Sequence, residues 1–215
     1  MNKKLIILFG APGSGKGYLG DCIKEELKSS GNNDFLYIST GDLLRAEIKA
    51  QTKLGKEIET IVSSGKLVSD AIVSELVMKA LTQPHTIKIL DGYPRTEFQM
   101  YDIIAARDML DHDIISIKRD TSVDLIKKRV SNRRICKNCK ATHSVADGCC
   151  PKCGGPSEIR KDDAVIDARL KEYERNTEPL WYELVKNSCT TLVADGSSEA
   201  KYLAKDLMCI LLAKV

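Results

Sequence analysis

Short apolar runs punctuate the chain: Lys4 to Phe9, Phe35 to Ile38, Ile87 to Leu90, Ile114 to Ile117 and Thr191 to Ala194. Each has the length of a buried strand, and the stretches between them read as helices. Strands alternating with helices predict βαβ units and a parallel sheet, and right-handed crossovers put helices on both of its faces. The expected fold class is α/β, three layers around a five-stranded parallel sheet. Ligands of such sheets gather beyond the carboxyl ends of the strands, where Gly10, Ser39 and Asp91 fall.

Two segments break the alternation. Residues 39–68 are helical in pattern and end at Ser64-Gly65, a helix stop signal. Residues 132–163 hold a cluster of cysteines and are rich in Lys, Gly and Pro, so they cannot build an apolar core of their own. The expected organisation is a core of residues 1–38, 69–131 and 164–215 carrying two insertions, 39–68 and 132–163.

The first strand runs into Gly10-Ala11-Pro12-Gly13-Ser14-Gly15-Lys16-Gly17, with a helix expected from near Tyr18. Strand, glycine-rich loop and helix in this order make a P-loop. Glycines let backbone N–H groups approach phosphate oxygens, the helix N-terminus adds partial positive charge, and Lys16 supplies a mobile cation for the β and γ phosphates. A tight glycine turn with a surface lysine would share the composition but not the setting. Gly17 stands where the general motif has Ser or Thr to ligate magnesium, which weakens a plain GTPase or ATPase reading.

Composition then narrows the picture. At 215 residues the chain can bury most of its apolar surface unaided. Its 33 basic and 30 acidic residues nearly balance, which argues against a dedicated nucleic-acid or membrane-surface binder. The apolar run after Lys4 is too short for a signal peptide and no stretch approaches a membrane span, so a cytoplasmic protein is expected.

Cys136-Lys-Asn-Cys139 and Cys150-Pro-Lys-Cys153 form two knuckles separated by a short loop with Gly148. Four thiolates at this spacing suit a closed tetrahedral zinc site that contributes folding energy rather than catalysis. Two disulfides are the alternative, and with Arg133, Arg134, Lys137 and Lys140 nearby so is a nucleic-acid finger, which the near-neutral charge disfavours. Cys22, Cys189 and Cys209 are expected as buried small hydrophobes, Cys149 is ambiguous, and His143 is either a stray extra ligand, a nucleotide contact or solvent-facing.

The glycine loop, together with Ser39-Thr40-Gly41-Asp42-Leu43-Leu44-Arg45 and Asp91-Gly92-Tyr93-Pro94-Arg95-Thr96, resembles the adenylate kinase family. Leu54-Gly55-Lys56, Gly65-Lys66-Leu67-Val68, Arg160-Lys161-Asp162-Asp163, Arg169-Leu170 and Thr177-Glu178-Pro179-Leu180 extend the resemblance over nearly the whole chain. It implies an enzyme that moves the γ-phosphoryl group of ATP onto AMP with Mg2+, giving two ADP. Residues 39–68 become a nucleoside-monophosphate-binding insertion and residues 132–163 a lid, which in some members carries structural Zn2+.

The resemblance implies that Gly13, Ser14, Gly15, Lys16, Gly17, Tyr18, Arg129, Arg133 and Ser198 bind ATP. It assigns AMP to Thr40, Arg45, Lys66, Leu67, Val68, Gly92, Tyr93, Pro94, Arg95 and Gln99, with Arg160 and Arg169 bridging the phosphates. Lys16, Arg95, Arg133, Arg160 and Arg169 would be catalytic, Asp91 would hold magnesium through water, and Asp162 or Asp163 would orient the arginines. Phosphoryl transfer needs positioning and charge neutralisation, and arginine's planar fork can hold two phosphate oxygens at once. The expected partners are ATP, AMP and ADP, with no nucleic acid and no membrane, acting on a monomer.

Thr40 and Gln99 resemble the AMP-specific branch, where UMP/CMP kinases tend to have Ala and Asn. Gln99 offers a donor and an acceptor to an adenine edge; the alternative is a polar residue on the outer face of its helix. Tyr18 departs from the family's Thr, and the lid is short, lacks the usual Pro-Pro and has a tighter interval from Asp163 to Arg169. Another nucleoside monophosphate kinase, or a nucleotide-binding zinc module with little catalysis, are the competing readings.

Overall fold

The computed structural model describes residues 3–139, 141–144, 149–160 and 163–212. Along the chain the strands are β1 (Lys3–Phe9), β2 (Phe35–Ser39), β3 (Ile87–Asp91), β4 (His112–Asp120), three short ones, β5 (Arg134–Cys136), β6 (Thr142–His143) and β7 (Ser157–Glu158), and β8 (Thr190–Asp195). The helices are α1 (Lys16–Ser29), α2 (Thr40–Lys49), α3 (Lys53–Ser63), α4 (Asp70–Leu81), α5 (Glu97–Leu110), α6 (Val123–Asn132), α7 (Ile166–Glu172), α8 (Trp181–Asn187) and α9 (Ala200–Leu212). One sheet has five parallel strands in the order β2-β3-β1-β4-β8, and the other joins β5 to β6 and β7 antiparallel.

Strand β1 shows why the chain forms three layers. Successive side chains of a strand point to opposite faces. Leu5, Ile7 and Phe9 enter one apolar cluster with Val77 of α4, Ile103 of α5 and Leu184 of α8. Ile6 and Leu8 enter the other, with Leu19 and Ile23 of α1 and Leu207 of α9. A strand covered on both faces needs apolar residues at every position, which is the continuous run seen in the sequence.

Side-chain caps fix where several helices begin. Ser39 accepts from the N–H of Asp42 at 3.2 Å to open α2, and Thr52 accepts from that of Gly55 at 2.9 Å to open α3. Thr96 and Ser122 do the same for α5 and α6. The carboxyl ends of β1, β2 and β3 therefore feed directly into the P-loop, α2 and the Asp91 to Thr96 turn.

Three expectations change. Helix α1 begins at Lys16, two residues before Tyr18, because Gly15 with φ 98° supplies the turn into it. Strand β4 runs past Ile117 to Asp120, since Lys118 pairs with Glu178 and Arg119 turns into the protein. Cys22 is buried, but Cys189 precedes the edge strand β8 and Cys209 lies on the outer face of α9, and both are exposed.

Helices α2 and α3 build the first insertion, and its tip, Gly65, rests against α7: a Cβ there would come within 3.1 Å of Ala168 Cβ and 3.4 Å of Arg169 Cγ. The cysteine-bearing segment carries the small sheet and, among the described residues, contributes nothing to the apolar clusters. No described helix is long and apolar enough to cross a membrane.

Candidate functional site

The P-loop is clamped from behind. A Cβ at Gly13, whose φ is 83°, would lie 2.9 Å from methyl groups of Ile126 and Val130 on α6, so only glycine lets the loop sit this close. The Ser14 carbonyl accepts from Thr121 Oγ1 at 3.2 Å and from Arg129 Nη1 at 3.2 Å, and the second arm of Arg129 donates to the Gly196 carbonyl at 2.7 Å. Lys16 Nζ donates to the carbonyls of Gly10 at 2.7 Å and Ala11 at 2.9 Å.

Positive charge converges on Lys16. Burial lowers its pKa to about 8; Asp91 opposes this, while Arg95, Arg169 and Arg133 push it further down. Of the five residues expected to be catalytic, Arg95, Arg133 and Arg169 therefore lie within electrostatic reach of Lys16. Such crowding of like charges is stored repulsion that an incoming polyphosphate would relieve. Arg133 is held in a two-pronged pair with the buried Asp163, its Nε donating to Oδ2 at 2.8 Å. Arg160 is half-buried where the cysteine-bearing segment returns to the core, its carbonyl accepting from Asp163 N at 3.1 Å.

Strand order divides the site in two. Beyond β2 and β3 lie Thr40, Gly92, Arg95 and Gln99; beyond β4 and β8 lie Arg129 and Ser198; the P-loop sits between them on β1. The hydroxyls Ser14 Oγ and Thr40 Oγ1 are buried without a hydrogen-bond partner from the protein. Buried hydroxyls in proteins are nearly always bonded, so each has bonding capacity left for a water or a ligand.

On the β2/β3 side the structure adds residues that sequence reasoning missed. Asp91 Oδ2 accepts from Tyr37 Oη at 2.8 Å, and a Cβ at Gly17 would lie 3.6 Å from that same oxygen. Gln99 is buried rather than on an outer face; its Oε1 accepts from Arg95 N and its Nε2 donates to Asp70 Oδ1, each at 2.8 Å. One N–H of that amide and one lone pair remain for a ligand. Tyr37 and Asp70 belong to no motif, and no spacing marks them.

Other expected residues stand apart. Arg45 pairs with Asp42 on its own helix at 2.6 Å. Tyr93 is buried, its hydroxyl donating to Asp102 Oδ2 at 2.8 Å, so it offers the site only backbone; Pro94 is buried beside it. Val68 packs into the core, Leu67 is half-buried and Lys66 is exposed. Tyr18 is 58% exposed, and its phenol interacts with the Cys22 thiol one turn further along α1.

The four knuckle cysteines form one group, with ligand atoms all within 4.8 Å of one another. Sγ of Cys136 and Cys153 are 3.5 Å apart, and those of Cys139 and Cys150 3.6 Å. Zinc with Zn–S bonds of ~2.3 Å sets tetrahedral sulfurs roughly 3.8 Å apart, so these residues fit it. The N–H groups of Cys139 and Lys152 point at Cys136 and Cys150 sulfurs, each at 3.4 Å. His143 lies outside the group, its Nε2 2.7 Å from Ser157 Oγ in the small sheet. Lys140, Gly148, Lys161 and Asp162 lie outside the described residues.

Comparison with known proteins agrees with this geometry. The family model described as adenylate kinase matches residues 8–188. An adenylate kinase of Thermosipho melanesiensis is 36% identical over 217 residues, covering 96% of this chain and 98% of that protein. Those of Treponema denticola and Thermococcus kodakarensis are 39% and 38% identical, each over 81% of this chain and at least 80% of their own length.

Proposed function

Because the chain belongs to the adenylate kinase family, and so to the phosphotransferases, we propose that it transfers the γ-phosphoryl group of ATP to AMP, with ATP on the β4/β8 side of the P-loop and AMP on the β2/β3 side. The observation that carries this reading is that Arg95, Arg133 and Arg169 all lie within electrostatic reach of Lys16 in the P-loop. Two polyphosphate chains repel one another, and fixed cations that cancel the repulsion lower the barrier without a covalent intermediate.

Lys16 and Arg133 hold the donor's phosphates, Arg95 and Arg169 hold the acceptor's and meet the transferring group, and Arg160 joins them. Arg45 swings from Asp42 to the acceptor phosphate. Asp91, one oxygen tied to Tyr37, suits water-mediated binding of the magnesium that arrives with ATP and supplies charge neutralisation. Residues 39–68 and 132–163 act as closing parts that exclude water. Zinc on Cys136, Cys139, Cys150 and Cys153 folds the lid and takes no part in the chemistry.

Thr40 and Gln99 favour adenine as the acceptor base. A coupled assay offering AMP, CMP, UMP and GMP to the enzyme with MgATP tests this. A clear preference for AMP is expected; preference for another acceptor overturns the assignment, and absence of ADP with all four overturns the activity. The same reading makes the protein a cytoplasmic monomer that acts on free nucleotides, and gel filtration at assay concentration checks the monomer.

A further inference from the structure

Among the described residues three buried side-chain polar atoms lack a partner: Ser14 Oγ, Thr40 Oγ1 and Arg119 Nε. The first two belong to nucleotide motifs and Arg119 belongs to none, yet it is only 3% exposed. An arginine taken out of water is costly unless oxygens surround it, so a buried one is held for a reason. Here every oxygen it meets lies in one short loop. Nη1 donates to Ser198 Oγ at 3.1 Å, and Nη2 donates to the carbonyls of Gly196 at 2.9 Å and Ser198 at 3.0 Å.

That loop, Asp195-Gly196-Ser197-Ser198, has the composition of flexible chain, and fixing it costs conformational entropy. It lies beyond β8, on the β4/β8 side, is hydrogen-bonded to the P-loop through Arg129, and meets it again where the Arg119 backbone packs against Gly10. Arg129 bridges the Gly196 carbonyl to the Ser14 carbonyl, and the Arg119 carbonyl lies 2.6 Å from where a Cβ of Gly10 would stand. Arg119 thus links the first glycine of the phosphate loop to the Gly196–Ser198 loop through a single residue.

We propose that Arg119 is a positioning residue for the donor nucleotide, holding the Gly196–Ser198 loop at the distance from the P-loop that the base and ribose of a nucleoside triphosphate require. The inference rests on the two-sided site described above. A loop fixed in advance does not have to be ordered on binding, so Arg119 strengthens donor binding and leaves the chemical step alone. Lysine cannot replace it fully, because one ammonium lacks the fork that spans three oxygens.

The test is steady-state kinetics of Arg119→Met, Arg119→Lys and Ser198→Ala in the full chain, with KM for ATP, KM for AMP and kcat measured separately and melting temperature recorded. Expected for Arg119→Met is a rise of about tenfold in KM for ATP, with KM for AMP and kcat within about twofold of the unaltered enzyme. Arg119→Lys should fall between the two, and Ser198→Ala should raise KM for ATP by less than Arg119→Met. Equal changes in both KM values, or a lower melting temperature with kinetics untouched, overturn the proposal. If Arg119→Met does not fold, Arg119→Lys and Ser198→Ala are judged by the same criteria. Lack of turnover by the unaltered chain would instead defeat the functional reading, so the two failures are distinguishable.

Discussion

The P-loop core and the cysteine-bearing segment are built by different means. In the core, β1 alone sends five buried residues, Leu5 to Phe9, into two apolar clusters shared with helices on both faces. In the lid, the described residues add nothing to those clusters, and the two buried cysteines, Cys136 and Cys150, belong to the four-sulfur group. A region organised by apolar burial carries its stability in the sequence itself. On the proposed reading, a region organised by four thiolates would be stable only when an ion joins them. The same chain would then combine an unconditional scaffold with a conditional cover.

Metal removal should separate the two most strongly. Structural zinc binds with about 10–16 kcal/mol in small zinc modules, and that energy is folding energy. Chelation, or Cys136→Ser, should remove zinc from one ion per chain to near none, open residues 134–160 to protease and lower activity, while the main thermal transition stays. Loss of the main transition together with the zinc would break the comparison.

Lys16→Met should leave both regions folded and cut kcat on the order of 10³-fold, or about 4 kcal/mol, by steady-state assay. Its melting temperature should hold or rise, because an ammonium with a lowered pKa is disfavoured by its site. Ile7→Ala, at a fully buried position, should cost about 3 kcal/mol in denaturant unfolding with zinc content unchanged.

The smallest effect expected is on pH dependence. Burial lowers the Lys16 pKa from 10.5 to about 8, so the charge is present below that value and lost as pH rises through it. MgATP affinity measured by calorimetry should decline above pH 8, with proton uptake on binding. Lys16→Arg should abolish that decline, since guanidinium stays charged throughout. An unchanged pH profile in Lys16→Arg would show that Lys16 does not govern it.

Much of this architecture was legible in the sequence because it rests on local rules. Short continuous apolar runs marked the five strands of the large sheet, and knuckle spacing marked the sulfur group. Where residues act across the fold, the reading stopped short. For β4 the sequence marked only the apolar run Ile114 to Ile117; the strand continues because Glu178 and the Gly196–Ser198 loop, distant in sequence, meet Lys118 and Arg119. Tyr37 looked like one more strand residue, yet its hydroxyl holds Asp91. Gln99 was found by motif, but Asp70, which fixes its amide, was not. Cys189 and Cys209 were expected inside from their apolar or helical contexts and lie on the surface.

The central claim is that one cluster of cations serves two nucleotides at once, on opposite sides of the P-loop. Calorimetry with two adenosines joined by five phosphates tests it most directly. The account predicts one molecule bound per chain, about a hundredfold tighter than ATP, with ATP and AMP both excluded. Binding no tighter than ATP, or binding that leaves AMP affinity unchanged, would contradict it.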